Sequence, residues 1–172
     1  IIATPSDQAI FNEEAFRNNV LEGLAFVEQN NRFLTMGVKP TRPEPGYGYI
    51  QLGDNVGDGL YTVQSFTEKP ERDFAKIFVE SGEFYWNTGL FLSNVSYLRE
   101  CFSNLLPPVL RNYDQQYPEF SIETENAYMK ESFSSYPNIS VDFGILDKPG
   151  NVCMMKCDFG WADLGTWHSI YE

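Results

Sequence analysis

Between Asn12 and Asn31 the apolar residues Phe16, Val20, Leu21, Leu24 and Val27 recur at intervals of three and four, which predicts a helix with one core-facing side. Glu13 and Glu14 fall in its first turn, where the helix dipole favours acids. Phe33 to Val38 then forms an apolar run of strand length, and a loop with Pro40, Pro43 and Pro45 leads into Gly46-Tyr47-Gly48-Tyr49-Ile50. The glycines and the loop make this the expected centre of backbone mobility. Residues Gly53 to Gly59 read as a turn between two strands, the second running from Tyr61 to Phe66 with alternating character. Beyond Glu68-Lys69-Pro70, Phe74, Ala75, Ile77, Phe78 and Val79 predict a helix over Glu71 to Ser81, with Gly82 as its C-cap.

Phe84 to Leu92 is apolar and aromatic enough for one or two short strands, broken by the polar Asn87-Thr88-Gly89. Helices are expected near Val95 to Phe102 and Val109 to Tyr117, and over Val141 to Leu146 behind a capping Ser140. Val152 to Lys156 reads as a further strand, and the opening Ile-Ile-Ala as the end of one. Strands alternating with helices imply an α/β layer fold, and 172 residues with 42% hydrophobic content imply a single domain spanning residues 1–172. The apolar start without methionine also suggests the interior of something larger.

Charge narrows the function. Twelve basic residues against 24 acidic ones give a net charge of -12, which would repel a phosphate backbone, so nucleic acid is excluded as a partner. A small phosphorylated ligand remains compatible if a divalent cation and a few lysines offset the charge locally. No apolar run is long enough to span a membrane and no signal-peptide pattern opens the chain. Cys101, Cys153 and Cys157 are odd in number and lack CxxC spacing, which suits packed thiols in a reducing, cytoplasmic compartment.

The candidate chemistry lies where loops follow strands, because α/β sheets place ligands at the carboxyl ends of their strands. Asp7 follows the first strand, Gly48 lies in the glycine-tyrosine loop, Glu68 and Lys69 end a strand, Asn87 interrupts one, and Asp163 follows the last. Two separated aspartates can hold Mg²⁺, which needs few protein carboxylates when phosphate oxygens complete its shell. Lys69 could balance phosphate charge, while Glu68 and Asn87 offer acceptors and donors for hydroxyls. Other chemistries fail. A calcium loop from Asp54 would need oxygen ligands where Val56 and Ser65 stand. His168 has no partner for a zinc site, and a serine or cysteine nucleophile would have only that imidazole as base.

The ordered set Pro5-Ser6-Asp7, Gly46-Tyr47-Gly48-Tyr49-Ile50, Phe66-Thr67-Glu68-Lys69-Pro70, Tyr85-Trp86-Asn87-Thr88-Gly89, Ser140-Val141-Asp142-Phe143 and Gly160-Trp161-Ala162-Asp163-Leu164-Gly165 resembles the sugar-phosphate nucleotidyltransferases over essentially the whole chain. The resemblance is strongest to the mannose-1-phosphate guanylyltransferases. It implies a Rossmann-like three-layer fold with a mixed, mostly parallel sheet, incomplete at its N-terminus. It also implies that mannose 1-phosphate and GTP are joined with release of pyrophosphate. Carried over by motif, Asp7 and Asp163 resemble the Mg²⁺ ligands and Lys69 the lysine on the sugar phosphate. Gly48, Glu68 and Asn87 would then lie at the sugar, with Trp161 shaping the wall beside it. Gln8 stands where the family often has His, and Ala162 where it often has Ser. The family's Gly-rich Arg/Lys loop, which cradles the triphosphate, has no counterpart here, so this chain alone is expected to be inactive. The resemblance leaves homo-oligomerisation of the whole protein open. Two alternatives stand beside it: a non-catalytic sugar-nucleotide sensor, and a nucleotidyltransferase for another hexose phosphate or base.

Overall fold

The computed structural model describes residues 1–110, 121–148, 150–165 and 171. The chain divides into two compact units, residues 1–94 with 149–172, and residues 95–148. All seven candidate site residues belong to the first.

The first unit is built on a six-stranded sheet. Its strands are β1 (Ile2–Ala3), β3 (Phe33–Val38), β4 (Gly48–Gly57), β5 (Leu60–Thr67), β6 (Phe84–Leu92) and β7 (Val152–Cys157), in the order β1-β6-β3-β7-β5-β4. β4 also pairs with β6, so β6, β3, β7, β5 and β4 close into a ring. The sheet is mixed, but β3 and β7 form its parallel pair while the other described pairings are antiparallel. The expected predominance of parallel strands is therefore corrected, because β6 runs antiparallel to β1, β3 and β4, and β5 runs antiparallel to β4 and β7. A separate two-stranded ladder joins β2 (Gln8–Ile10) to β8 (Trp161–Asp163).

α1 (Glu13–Gln29) follows the predicted helix closely, and the Asn12 side chain caps it by accepting from the N–H of Ala15 at 3.0 Å. Its buried positions are Gly23 and Val27, whereas Leu21, placed by periodicity on the apolar face, is 57% exposed. Gly23 explains how the helix approaches the sheet: a Cβ there would stand 3.1 Å from Leu34 Cδ2 and 3.4 Å from Leu92 Cδ2. α2 (Arg72–Ser81) ends at Gly82 in the left-handed conformation, φ 73°, as a C-cap glycine should. It buries Ala75, while Phe74 and Ile77 remain exposed.

Two loops are tighter than their composition suggests. The Gly53 to Gly59 stretch is mostly strand, and the reversal is confined to Asp58-Gly59, with Gly59 at φ 69°. The proline-rich loop before β4 is tied down by the Tyr49 hydroxyl, which accepts from the Glu44 N–H at 2.9 Å and donates to the Glu44 carbonyl at 3.3 Å. The core contains Leu34, Met36, Tyr49, Leu90, Leu92, Met155 and Phe159, with Phe159 edge-on to Phe16 at 5.2 Å.

The second unit contains α3 (Val95–Leu105), α4 (Ile122–Ser132), a 3-10 turn (Phe133–Ser135) and a π-helical turn (Asp142–Leu146). The Ser140 hydroxyl accepts from the Phe143 N–H at 3.3 Å, so its capping role stands although the turn is π rather than α. α4 has no counterpart among the helices expected from periodicity; a Ser121–Thr124 capping box starts it. Most of the helix expected to Tyr117 lies outside the described residues, as does His168. Among the described residues no helix is long and apolar enough to cross a membrane.

Candidate functional site

The sugar-side residues meet at one row of the sheet. Gly48 of β4 stands opposite Asn87 of β6, and the neighbouring Tyr49 stands opposite Thr67 of β5, immediately before Glu68. Three strands that the chain separates by tens of residues thus bring Gly48, Glu68 and Asn87 together. A Cβ on Gly48 would lie 2.8 Å from Glu68 Oε2, 3.4 Å from Asn87 Cβ and 3.7 Å from Asn87 Nδ2. The absent side chain therefore leaves a small space bounded by a carboxylate and an amide, groups that can hold hydroxyls.

The polar break in β6 has a structural reason. Asn87 Oδ1 accepts from the Gly89 N–H at 3.0 Å and lies 3.4 Å from the Thr35 hydroxyl, which also donates to the Leu90 carbonyl at 3.1 Å. With Oδ1 committed, the NH₂ of Asn87 is the end left toward Gly48. The buried Thr88 hydroxyl donates to the Met36 carbonyl at 2.8 Å. Gly89 adopts φ 71°, and a Cβ there would stand 3.1 Å from Pro5 Cγ, so the Pro5-Ser6-Asp7 loop rests directly on this turn. The strand stays continuous because these side chains satisfy the backbone groups it disturbs.

Lys69 lies at the end of β5 with φ 46°, the one non-glycine residue with positive φ among the described residues. A left-handed conformation costs a non-glycine residue roughly 1–2 kcal/mol, and such strain is characteristic of positions where side-chain direction matters. Its ammonium is 3.6 Å from Glu68 Oε1, and both side chains are substantially exposed, so the pair contributes little stability and is free to engage a ligand.

The two aspartates meet through the β2–β8 ladder. Gln8 pairs with Asp163 in register, the Leu164 N–H donates to the Asp7 carbonyl at 2.8 Å, and the Gly165 N–H donates to Asp163 Oδ1 at 2.7 Å. A Cβ on Gly165 would lie 2.8 Å from Asp163 Oδ1 and 3.7 Å from Asp7 Oδ2, so both carboxylates border the space that this glycine leaves open. Two hard oxygen donors fit a Mg²⁺ ion that takes its remaining ligands from water and phosphate. Among the described residues no group of three or more His, Cys, Asp or Glu could hold a metal by itself.

Gln8, which the sequence marks only as a departure from the family's usual His, connects the two halves. The Gln8 side-chain amide donates to the Thr88 carbonyl, so the ladder bearing Asp163 is bonded to the strand bearing Asn87. Its position next to Asp7 is the available signal. Trp161, which the resemblance sets in the wall beside the sugar, is anchored among aromatic rings. It is 9% exposed, packs edge-on against Tyr47 at 5.2 Å, and lies 6.3 Å from Trp86, whose side chain alternates to the face of β6 opposite Asn87.

The cysteines are structural. All three are free and buried; burial pushes the Cys157 thiol up to about 12, with a lesser contribution from Glu22, and Cys101 is also raised, chiefly by burial. Neither is a nucleophile at neutral pH.

Known proteins share the sequence and the fold of this chain. A family model described as nucleotidyl transferase matches residues 4–172. The xanthan biosynthesis protein XanB of Xanthomonas campestris pv. campestris is 34% identical over all of this chain and 36% of its own length. A mannose-1-phosphate guanylyltransferase of Sinorhizobium fredii is 31% identical, again over the whole chain and 34% of its length. The chain thus spans about a third of these relatives. A crystal structure from Thermus thermophilus, described as a mannose-1-phosphate geranyltransferase, superimposes with a TM-score of 0.82 at 30% identity, covering 96% of this chain and 47% of that one.

Proposed function

Since the chain belongs to the nucleotidyl transferase family, we propose that it carries the sugar-binding and metal-binding part of an enzyme that forms GDP-mannose and pyrophosphate from mannose 1-phosphate and GTP. The observation that carries this reading is the convergence of Gly48, Glu68 and Asn87 in one row, with the Asp7–Asp163 pair bonded to that row through Gln8.

Each residue then has a task. Glu68 accepts from, and Asn87 donates to, hydroxyls of a sugar ring seated over Gly48, where a side chain would obstruct it. Lys69 neutralises the sugar phosphate and keeps its attacking oxygen facing the nucleotide α-phosphorus. Asp7 and Asp163 would hold Mg²⁺, which when bound supplies charge neutralisation and alignment of phosphate oxygens. Catalysis by positioning and electrostatics needs no covalent enzyme intermediate, in keeping with the inert thiols. Three buried free cysteines support a reducing, cytoplasmic setting.

The test is pyrophosphate release by the intact protein with GTP, ATP, UTP or dTTP, each paired with mannose or glucose 1-phosphate. GTP with mannose 1-phosphate is expected to be the fastest pair. Binding of nucleotide sugar without turnover of any pair would instead establish a sensor.

A further inference from the structure

Each half of the candidate site has an aromatic residue beside it in the chain. Tyr47 precedes Gly48, Trp86 precedes Asn87, and Trp161 stands two residues before Asp163. All three are buried and meet as one cluster. Tyr47 lies edge-on to Trp86 at 5.1 Å and edge-on to Trp161 at 5.2 Å, with the two indoles 6.3 Å apart.

Strand alternation gives this cluster a hold on the site. Trp86 and Asn87 point to opposite faces of β6, so the ring that fixes this part of the strand lies directly beneath the amide that faces Gly48. In register, Trp86 pairs with Tyr49 of β4 and Val38 of β3. In β8, Trp161 and Asp163 share one face of the ladder, paired with Ile10 and Gln8 of β2. A shift of either indole therefore displaces a strand that carries a candidate site residue.

The indoles have little else to orient them. Their N–H groups are buried and have no hydrogen-bond acceptor, whereas the hydroxyl of the neighbouring Tyr49 is bonded twice to Glu44. Ring contact, with the Arg42 guanidinium 5.6 Å from the Trp86 ring centre, sets their direction. Tyr47 is the fixed member. Its N–H donates to the Glu44 carbonyl at 3.4 Å, and the Gly46 N–H donates to Glu44 Oε1 at 3.1 Å. A buried donor without an acceptor is costly, and a phenyl ring would avoid that cost. Two such donors in one cluster mark a place where stability gives way to geometry, as it does at functional sites.

We propose that Tyr47, Trp86 and Trp161 form one positioning unit, which sets the spacing between the sugar row and the metal-binding strand. The proposal rests on the sugar and metal roles inferred above. Gln8 ties the two halves by a single hydrogen bond, and the rings hold them by close packing, so loss of one ring on the sugar side is felt at the metal.

Two affinities of the intact protein test the unit: that for mannose 1-phosphate without metal, by calorimetry, and that for Mn²⁺, a paramagnetic stand-in for Mg²⁺, by electron paramagnetic resonance. Tyr47→Phe keeps the ring and should hold both within about twofold of the parent. Tyr47→Leu loses it and should weaken both by about fivefold or more, although Tyr47 is no metal ligand. Trp86→Phe should shift both in the same direction, and it serves if Tyr47→Leu does not fold. Val27→Ala, in the same core but outside the three rings, should lower the urea midpoint and leave both affinities parental. Parental affinities in Tyr47→Leu and Trp86→Phe, a change in one affinity alone, or equal losses in Val27→Ala would overturn the positioning unit. A parent that binds no mannose 1-phosphate would remove the sugar reading itself, and the proposal with it.

Discussion

Gln8 stands opposite Asp163 in the β2–β8 ladder while its side-chain amide donates to the carbonyl of Thr88 in β6. One residue thus spans the two parts of the candidate site. Replacing it by glutamate removes the donor and sets a third carboxylate beside Asp7. A hydrogen bond of this kind contributes about 1 kcal/mol, and the misplaced charge adds to its loss. We expect Gln8→Glu in the intact protein to lower kcat about tenfold. The Mg²⁺ concentration for half-activity should shift, and the unfolding temperature should change little. An unaltered metal requirement would limit Gln8 to a structural tie.

Gly48→Ala separates binding from stability. The added methyl would meet Glu68 Oε2 at 2.8 Å, but Glu68 is an exposed side chain that can swing aside. Stability should therefore change by no more than about 1 kcal/mol, as at other yielding surface sites. The sugar pocket is narrowed by the same methyl, so KM for the sugar phosphate should rise about tenfold or more with a smaller effect on the KM for nucleotide. Steady-state kinetics beside a urea titration distinguishes the two.

At Lys69 the backbone and the ammonium can be tested apart. With φ at 46°, glycine relieves strain that alanine retains. Lys69→Gly should be more stable than Lys69→Ala by about 1 kcal/mol. Both should lose sugar-phosphate affinity to a similar extent, because both lack the charge. Equal stabilities would show that the surrounding chain imposes no cost on this conformation.

Cys157 gives a pH signature. Its thiol is raised to about 12 in the folded state from an ordinary value of 9.0, so above pH 9 the unfolded chain loses this proton more readily. Fewer protons bound in the unfolded state means that stability falls as pH rises between these values, by at most about 1.4 kcal/mol per pH unit from this thiol. Urea midpoints measured from about pH 8 to about pH 10.5 should decline, and Cys157→Ala should flatten the decline. The same slope in both would place its origin elsewhere.

What can be read from the sequence follows the range of the interactions. α1, α2, β3 and β7 announce themselves because caps and apolar spacing are local. Leu21, Phe74 and Ile77 fall on core faces by spacing but are exposed, since spacing gives a helix face and not its width. α4 escapes notice because its buried residues, Tyr128 and Ser132, do not form an apolar stripe. Strands β2 and β8 have three residues each, too few to display alternation, and they pair across most of the chain. The same distance hides the Gln8 bond and the Tyr47–Trp86–Trp161 cluster. The site residues are found from ordered motifs, while their meeting around Gly48 and Gly165 requires the fold.

The central claim is that Asp7 and Asp163 act together on one divalent cation during sugar-nucleotide synthesis. A double-mutant cycle in the intact protein, measuring kcat for GTP and mannose 1-phosphate at saturating Mg²⁺ with Asp7→Asn, Asp163→Asn and both, tests it most directly. Each single change should lower kcat by roughly a hundredfold or more, and the double variant should be scarcely worse than the weaker single, as for groups that act as a unit. Fully additive losses, or near-parental activity in either single variant, would contradict a shared metal site.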